Sequence, residues 1–197
     1  INWAVINGDT ETGITTFFLK HEIDTGEIIQ QVRVPIADTD NVGIVHDKLM
    51  MLGGELVLET VDAILAGTVP QEKLIQSEAE LRPAPKIFKE TCRIDWNQGV
   101  KQIYDFIRGL SPYPAAWTEL YMGGAGKQMM KIYEAEKIFC QHDMQIGEIR
   151  TDLKTDFRIA VKDGFINILS LQLAGKKRMH VADFLRGYRT ANDNRVE

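Results

Sequence analysis

The chain has 197 residues, carries 23 Lys and Arg against 28 Asp and Glu for a formal net charge of −5, and is 44% hydrophobic. That length holds one large domain or two small ones, and that hydrophobic share is ordinary for a chain with a packed core. It contains no run of 18 or more apolar residues and no secretory leader pattern, so neither a membrane helix nor secretion is expected.

Asn2 to Asn7 reads as the end of a helix closed by Gly8. The chain opens at Ile1 with no Met and no strand before it, so it is expected to begin inside a domain. Ile14 to Leu19 is β-branched and aromatic, and Glu27 to Ile36 reads as a second strand. Between them lies Lys20-His21-Glu22-Ile23-Asp24-Thr25-Gly26, where Gly26 is expected to supply the positive φ of a tight reversal. An acid in a loop with rigid flanks suits a site residue, but on the local pattern alone the turn-capping role common for Asp is the favoured reading. Asp38-Thr39-Asp40-Asn41 offers N-caps for a helix over Val42 to Ala66. Its apolar residues Val45, Leu49, Leu52, Leu56, Val57, Val61, Ile64 and Leu65 recur at steps of three and four. Gly53-Gly54 weakens the middle of that helix, Gly67 is its C-cap and Pro70 a stop. This β-turn-β-helix piece reads as the tail of an α/β domain, with residues 1–67 as its extent.

Residues 68–91, with Pro70, Pro83 and Pro85, read as a linker whose Pro-Ala-Pro stretch is extended and stiff. A second domain over residues 92–197 opens at Arg93-Ile94-Asp95-Trp96. Asn97 is the expected cap of a helix from Gln98 to Leu110, stopped by Pro112 and Pro114. Five strands follow: Ala116 to Tyr121, Met129 to Ala135, Gly147 to Thr151, Phe157 to Val161 and Phe165 to Leu173. A glycine-rich turn over Met122 to Lys127 joins the first two, and Asp163-Gly164 is the expected turn before the last. Five short strands suggest a small barrel. Val181 to Arg189 reads as a closing helix, and the polar tail Thr190 to Glu197 as frayed.

Charge is unevenly spread. Residues 1–73 hold four basic and twelve acidic residues, a net of −8, and residues 74–197 hold nineteen and sixteen, a net of +3. A mild excess like this fits a solvated surface as well as a polyanion site, but Lys86, Lys89 and Arg93 cluster and Lys176-Lys177-Arg178 is an unbroken triplet. Other chemistry is thinly represented. Gly126-Lys127 is no phosphate loop, because Tyr121 stands where its first glycine belongs and Gln128 replaces the Ser or Thr. His21-Glu22 begins like a zincin helix, but Thr25 occupies the second His position. His46, His142 and His180 share no ligand spacing, so surface or core roles are expected. Cys92 and Cys140 lack a Cys-x-x-Cys spacing and fit reduced, buried thiols of a cytosolic protein. Asp95 with Trp96 reads as structural, the Trp buried and the Asp capping or pairing with an Arg, and the Pro112 to Trp117 loop reads as packing.

Thr10-Glu11-Thr12-Gly13-Ile14-Thr15 followed by Ile23-Asp24-Thr25-Gly26-Glu27-Ile28-Ile29 resembles the second half of the tetrahydrofolate-dependent formyltransferase domain. Arg93-Ile94-Asp95-Trp96, Pro112-Tyr113-Pro114-Ala115-Ala116-Trp117 and Ala174-Gly175-Lys176-Lys177-Arg178-Met179 follow in the order and spacing of the methionyl-tRNA branch of that family. The Asp24-Thr25-Gly26 turn and Arg93-Ile94-Asp95-Trp96 are also similar to sugar-nucleotide formyltransferases, and the late basic segment points to the tRNA branch. The likeness covers nearly the whole chain.

The resemblance implies an α/β plus β protein: the C-terminal remnant of a Rossmann-like formyltransferase domain, then a small OB-like β-barrel with flanking helices. It implies formyl transfer from 10-formyltetrahydrofolate to the α-amine of methionyl-initiator tRNA, without a metal, by a cytoplasmic protein that is a monomer at full length. Asp24 matches the catalytic acid that orients a His and manages the amine proton. The Asn and His that stabilise the tetrahedral intermediate match nothing here and would lie upstream of Ile1, so this chain alone is expected to be inactive. Leu19, Lys20, His21, Glu22 and Ile23 correspond to backbone lining the folate pocket. Lys86, Lys89, Arg93, Lys176, Lys177 and Arg178 are the expected tRNA contacts. The alternatives are a sugar-nucleotide formyltransferase and a non-catalytic RNA-binding module.

Overall fold

The structure, a computed structural model, describes residues 1–19, 26–69, 82–121, 126–188 and 195–197. It divides into two compact units: Ile1 with Asp9–Lys86, and Asn2–Gly8 with Ile87–Glu197.

The first unit is a hairpin under a long helix. Strands β1 (Glu11–Phe17) and β2 (Ile28–Pro35) pair antiparallel from Glu11↔Pro35 to Phe17↔Ile28, with an irregularity between Thr16 and Phe17. Helix α2 spans Val42–Ala66, the range its periodicity indicates. Asn41 caps it through an Oδ1 that accepts from the Ile44 N–H at 2.9 Å. Gly67 closes it in the left-handed region at φ 68°, where a Cβ would be strained. A polar knot ties helix to hairpin: the Thr60 hydroxyl is 2.8 Å from Gln30 Oε1 and 3.0 Å from Thr16 Oγ1. Leu56, whose carbonyl also accepts from the Thr60 hydroxyl at 2.7 Å, is buried one turn away, and Val45 is buried nearer the start of the helix. The expected apolar face is only partly covered, since Val57, Val61, Ile64 and Leu65 are exposed. A two-stranded hairpin is too narrow to cover more than one stripe of a helix of this length.

In the second unit, short helix α1 (Asn2–Ile6) packs on α3 (Val100–Leu110). Asn2 Nδ2 donates to the Gly109 carbonyl at 2.9 Å, and Ile6 sits so close to Gly109 that a Cβ there would fall 2.5 Å from its Cγ1. Helix α3 starts two residues later than expected and Asn97 does not cap it. Its N-cap is Gly99, and the first N–H, that of Val100, donates to Asp163 Oδ1 at 2.7 Å from a turn 63 residues away. Within α3 the buried Asp105 accepts from Arg108 Nε at 2.7 Å.

The sheet contains β3 (Ala116–Tyr121), β4 (Lys127–Phe139), β5 (Ile149–Thr151), β6 (Phe157–Val161) and β7 (Gly164–Leu173) in the order β3-β4-β7-β6-β5, all antiparallel. A sixth strand, β8 (Met179–His180), joins β7. The turn between β6 and β7 is Lys162-Asp163 and not Asp163-Gly164, because Gly164 already pairs with Val161. Helix α4 spans only Val181–Leu185, and Arg189 lies outside the described residues. Side chains from the inward faces of this sheet, including Leu120, Met130, Ile132, Phe157, Ile168 and Leu171, pack with Trp96, Ile103 and Ile107 in one core.

The tail is not frayed at its end. Residues 195–197 lie between the two edges of the sheet. Glu119 and Glu197 exchange backbone hydrogen bonds at 3.0 and 2.9 Å, and the Val196 N–H donates to the Gly147 carbonyl at 2.9 Å. Edge strands present unpaired N–H and C=O groups, and here the chain end supplies their partners while burying Val196. Polar composition alone does not reveal that.

Candidate functional site

Two regions carry the residues singled out by sequence. The first is the end of the β1–β2 hairpin. Asp24, with Lys20, His21, Glu22, Ile23 and Thr25, lies outside the described residues. Leu19 is 89% exposed, and just before it the Phe18 N–H donates to the Glu27 carbonyl at 3.0 Å. Gly26 is buried against this neck. Its requirement is steric: a Cβ at Gly26 would lie 1.5 Å from the Phe18 carbonyl oxygen. The chain leaves the hairpin at Leu19 and returns at Gly26 through a pinch that admits no side chain.

The second region is the outer face of β3, β4 and β7. Directly paired residues of an antiparallel sheet share a face, and Trp117 pairs with Lys131, which pairs with Gln172. Gln172 Nε2 donates to the Lys176 carbonyl at 2.8 Å and Tyr133 donates its hydroxyl to Gln172 Oε1 at 2.6 Å. The row therefore leads from Trp117 across Lys131 to the turn carrying Lys176 and Lys177. Cations stand over aromatic rings along this face: Arg93 over Trp117 at 5.6 Å, Lys127 and Arg195 over Tyr121 at 4.8 Å each, and Arg178 over Tyr133 at 4.6 Å.

These cations fall into two groups. Arg93 pairs with Glu119 at 3.3 Å, Lys127 with Glu197 at 2.9 Å, and Arg178 with Glu134 at 2.5 Å while also donating to Ser170 Oγ at 2.8 Å. The Tyr121 hydroxyl and then the Glu197 carboxylate hold the Lys127 ammonium above its ordinary range. Lys89, Lys131, Lys176 and Lys177 form no ion pair with an acid among the described residues. Lys86 is exposed and belongs to the first unit. Lys131 and Tyr133 were not singled out by sequence. The alternation Lys131-Ile132-Tyr133, with only Ile132 fully buried, is the signal that places both outward.

A cavity of about 520 Å³ opens on this face, lined by Phe88, Lys89, Tyr113, Trp117, Met129 and Lys131 among others. The Trp117 indole N–H donates to the Lys89 carbonyl at 2.7 Å, fixing the short 3-10 turn Glu90–Cys92 beside it. In the Pro112 to Trp117 loop Ala115 and Ala116 are buried, as packing requires, while Tyr113 is 82% exposed. A neighbouring cavity of about 460 Å³ is lined by Arg93, Asp95, Asn97, Val196 and Glu197.

The remaining singled-out residues have structural settings. Asp95 accepts from the Asn97 N–H at 3.0 Å, and this bond above all holds its carboxyl below the ordinary range. Trp96 is buried and its indole N–H donates to Thr118 Oγ1 at 2.9 Å. His142 Nε2 lies 2.8 Å from the Val161 carbonyl, His180 caps α4, and His46 sits beside Asp47. Both cysteines are free, but only Cys92 is buried. Cys140 is exposed beyond the end of β4. Burial pushes the Cys92 thiol up despite the nearby Lys131 charge. Among the described residues no group of three or more His, Cys, Asp or Glu could hold a metal ion, and no helix is long and apolar enough to cross a membrane.

Comparison with known proteins gives the following. Residues 86–189 match the family described as formyl transferase, C-terminal domain, and residues 1–61 match the formyl transferase family. A relative from Phocaeicola vulgatus named methionyl-tRNA formyltransferase is 80% identical over all of this chain and 62% of its own length. One of the same name from Bacteroides fragilis is 68% identical over 95% of this chain and 59% of its own. The chain thus spans about three-fifths of the length of these relatives. Among solved structures, HypX from Aquifex aeolicus in complex with tetrahydrofolic acid superposes with a TM-score of 0.63 at 18% identity, over 98% of this chain and 35% of that one. An N-formyltransferase from Helicobacter canadensis with folinic acid and dTDP-3-aminofucose superposes at 0.53 and 19% identity, over 89% of this chain and 59% of that one. At such identities these two structures speak for the fold.

Proposed function

Because the chain belongs to the formyl transferase family, we propose that the whole protein transfers the formyl group of 10-formyltetrahydrofolate to the α-amine of methionyl-initiator tRNA. The amine nitrogen attacks the formyl carbon, the bond from that carbon to N10 of the folate breaks, and the proton lost by the amine is balanced by the one that N10 gains. The observation that carries this reading is the 80% identity, along the full chain, to a protein named methionyl-tRNA formyltransferase.

In this reading residues 1–67 complete the catalytic domain, 68–91 connect, and 92–197 hold tRNA. Asp24 orients the His that faces the developing oxyanion, and Leu19 to Ile23 contribute backbone to the folate pocket. The second unit is an OB-like barrel, a reading supported by residues 195–197 spanning the sheet's two edges. The protein works in the cytoplasm as a monomer. Lys86, Lys89, Arg93, Lys176, Lys177 and Arg178 approach phosphates, with Lys176 and Lys177 contributing more than Arg178, whose guanidinium is engaged by Glu134 and Ser170.

The test is tRNA binding by the 197-residue chain as salt is varied. Phosphate contacts give an affinity that falls linearly in log–log form with salt. Replacing Lys176 and Lys177 by Ala should flatten that slope by about two units, one for each phosphate no longer neutralised. An unchanged affinity and slope would return the basic triplet to a solvated surface.

A further inference from the structure

We propose that the cavity between Phe88 and Tyr113 takes one unstacked nucleotide of the RNA, the base against Phe88, Tyr113 and Trp117 and the phosphate on Lys131 and Lys89. The inference rests on the tRNA reading above and adds to it a place where a base, and not only the backbone, is held.

Four observations point there. The volume, about 520 Å³, lies in the range of pockets that hold small ligands. Its aromatic walls stay open to solvent: Tyr113 is 82% and Phe88 57% exposed, although large apolar groups ordinarily turn inward. Exposed aromatic rings are surfaces on which unstacked bases lie, because every base has a π-face. The charge is also one-sided. Lys89 and Lys131 line the cavity and no acid does so among the described residues. Lys131 donates to the Pro114 carbonyl at 3.2 Å and forms no ion pair with an acid among the described residues. The neighbouring cavity makes the contrast, since Asp95 and Glu197 line it and would repel a phosphate.

The rim is continuous with the rest of the basic face. Lys131 pairs across the sheet with Gln172, which donates to the Lys176 carbonyl. A strand whose phosphates follow Lys176 and Lys177 therefore reaches Lys131 within one row of the sheet. Trp117 is held for this task by its hydrogen bond to the Lys89 carbonyl. Arg93 lines the neighbouring cavity and not this one, so it meets Trp117 from outside the proposed site.

The experiment measures anisotropy of a labelled single-stranded RNA hexamer and of a labelled RNA duplex against the 197-residue chain. Variants are Tyr113→Ala, Phe88→Ala, Tyr113→Phe and Lys131→Gln, each checked for native circular dichroism. Tyr113 and Phe88 are exposed enough that truncation spares the core. Tyr113→Ala and Phe88→Ala should each weaken the hexamer about tenfold at unchanged salt slope, leaving the duplex alone. Tyr113→Phe should bind as the parent does. Lys131→Gln should flatten the hexamer's slope by about 0.7, the value for one phosphate of a single strand. Alanine variants that hold the hexamer within twofold of the parent, or a parent that does not bind it, would overturn the proposal. If those variants are silent while Lys176→Ala with Lys177→Ala still weakens tRNA, the tRNA reading stands and the base site falls. If the hexamer responds as expected but tRNA is not bound, the base site stands and the tRNA reading falls.

Discussion

Within the Arg93-Ile94-Asp95-Trp96 motif, Ile94 and Trp96 are buried in the core of the second unit, and one pair of side chains measures what Trp96 contributes there. Trp96 Nε1 donates to Thr118 Oγ1 at 2.9 Å, and that hydroxyl donates in turn to the Glu197 carbonyl at 2.8 Å. Thr118 is fully buried and Trp96 is 4% exposed, so neither has water as a substitute. Thr118→Val keeps the shape and removes both bonds. The orphaned indole N–H costs about 1–3 kcal/mol and the missing bond to Glu197 about 1 more, or about 3 kcal/mol in all. With a urea m-value of about 2 kcal/mol/M, the unfolding midpoint should fall by about 1.5 M. Thr118→Ser keeps the hydroxyl and loses one methyl, so it should cost about 1 kcal/mol. Trp96→Phe removes the orphan donor, so Thr118→Val should cost less on that background, with a coupling of about 1–2 kcal/mol. Urea unfolding of the parent, Thr118→Val, Trp96→Phe and the double variant gives the cycle. A Thr118→Val cost below about 0.5 kcal/mol, or purely additive effects, would refute the reasoning.

Three further outcomes are expected. Gly54 is exposed in the middle of α2, and a Cβ there meets nothing within 4 Å. Gly54→Ala should therefore stabilise this chain by about 0.5–1 kcal/mol, read from its thermal midpoint. Burial pushes the Tyr188 hydroxyl up to about 12, against about 10 unfolded. The folded state keeps this proton longer, so stability holds below about pH 10 and falls as pH rises toward 12. Urea unfolding across that window should show the fall, and Tyr188→Phe should flatten it. In the whole protein, Asp24→Asn should cut the maximal formyl-transfer rate more than tenfold, about 1.4 kcal/mol, with tRNA affinity nearly unchanged. A smaller loss would leave Asp24 as a turn cap.

The elements legible in the sequence are those whose signals are local. Helix α2 announces both ends, through Asn41 and Gly67, and strands β3 and β6 stand where their composition puts them. What escaped depends on distant partners. The start of α3 is set by Asp163, brought to Val100 by the turn between β6 and β7. The tail looks dispensable until β3 offers its edge at Glu119 and Tyr121. Apolar spacing marks which residues of α2 share a face but not how much of that face a hairpin covers. The basic triplet is plain in sequence, yet the engagement of Arg178 by Glu134 arises from β4 lying beside β7. Lys131 passed unremarked because a lone lysine in a strand means little until the register sets it between Trp117 and Gln172.

The most direct measurement is formyl transfer by the whole protein, with 10-formyltetrahydrofolate as donor and methionyl-initiator tRNA or a UDP-amino-sugar as competing acceptors. Fast transfer to the tRNA with none to the sugar nucleotide is the expected result, and Lys176→Ala with Lys177→Ala should then raise KM for the tRNA. Transfer to the sugar nucleotide with none to the tRNA would contradict the account at its centre.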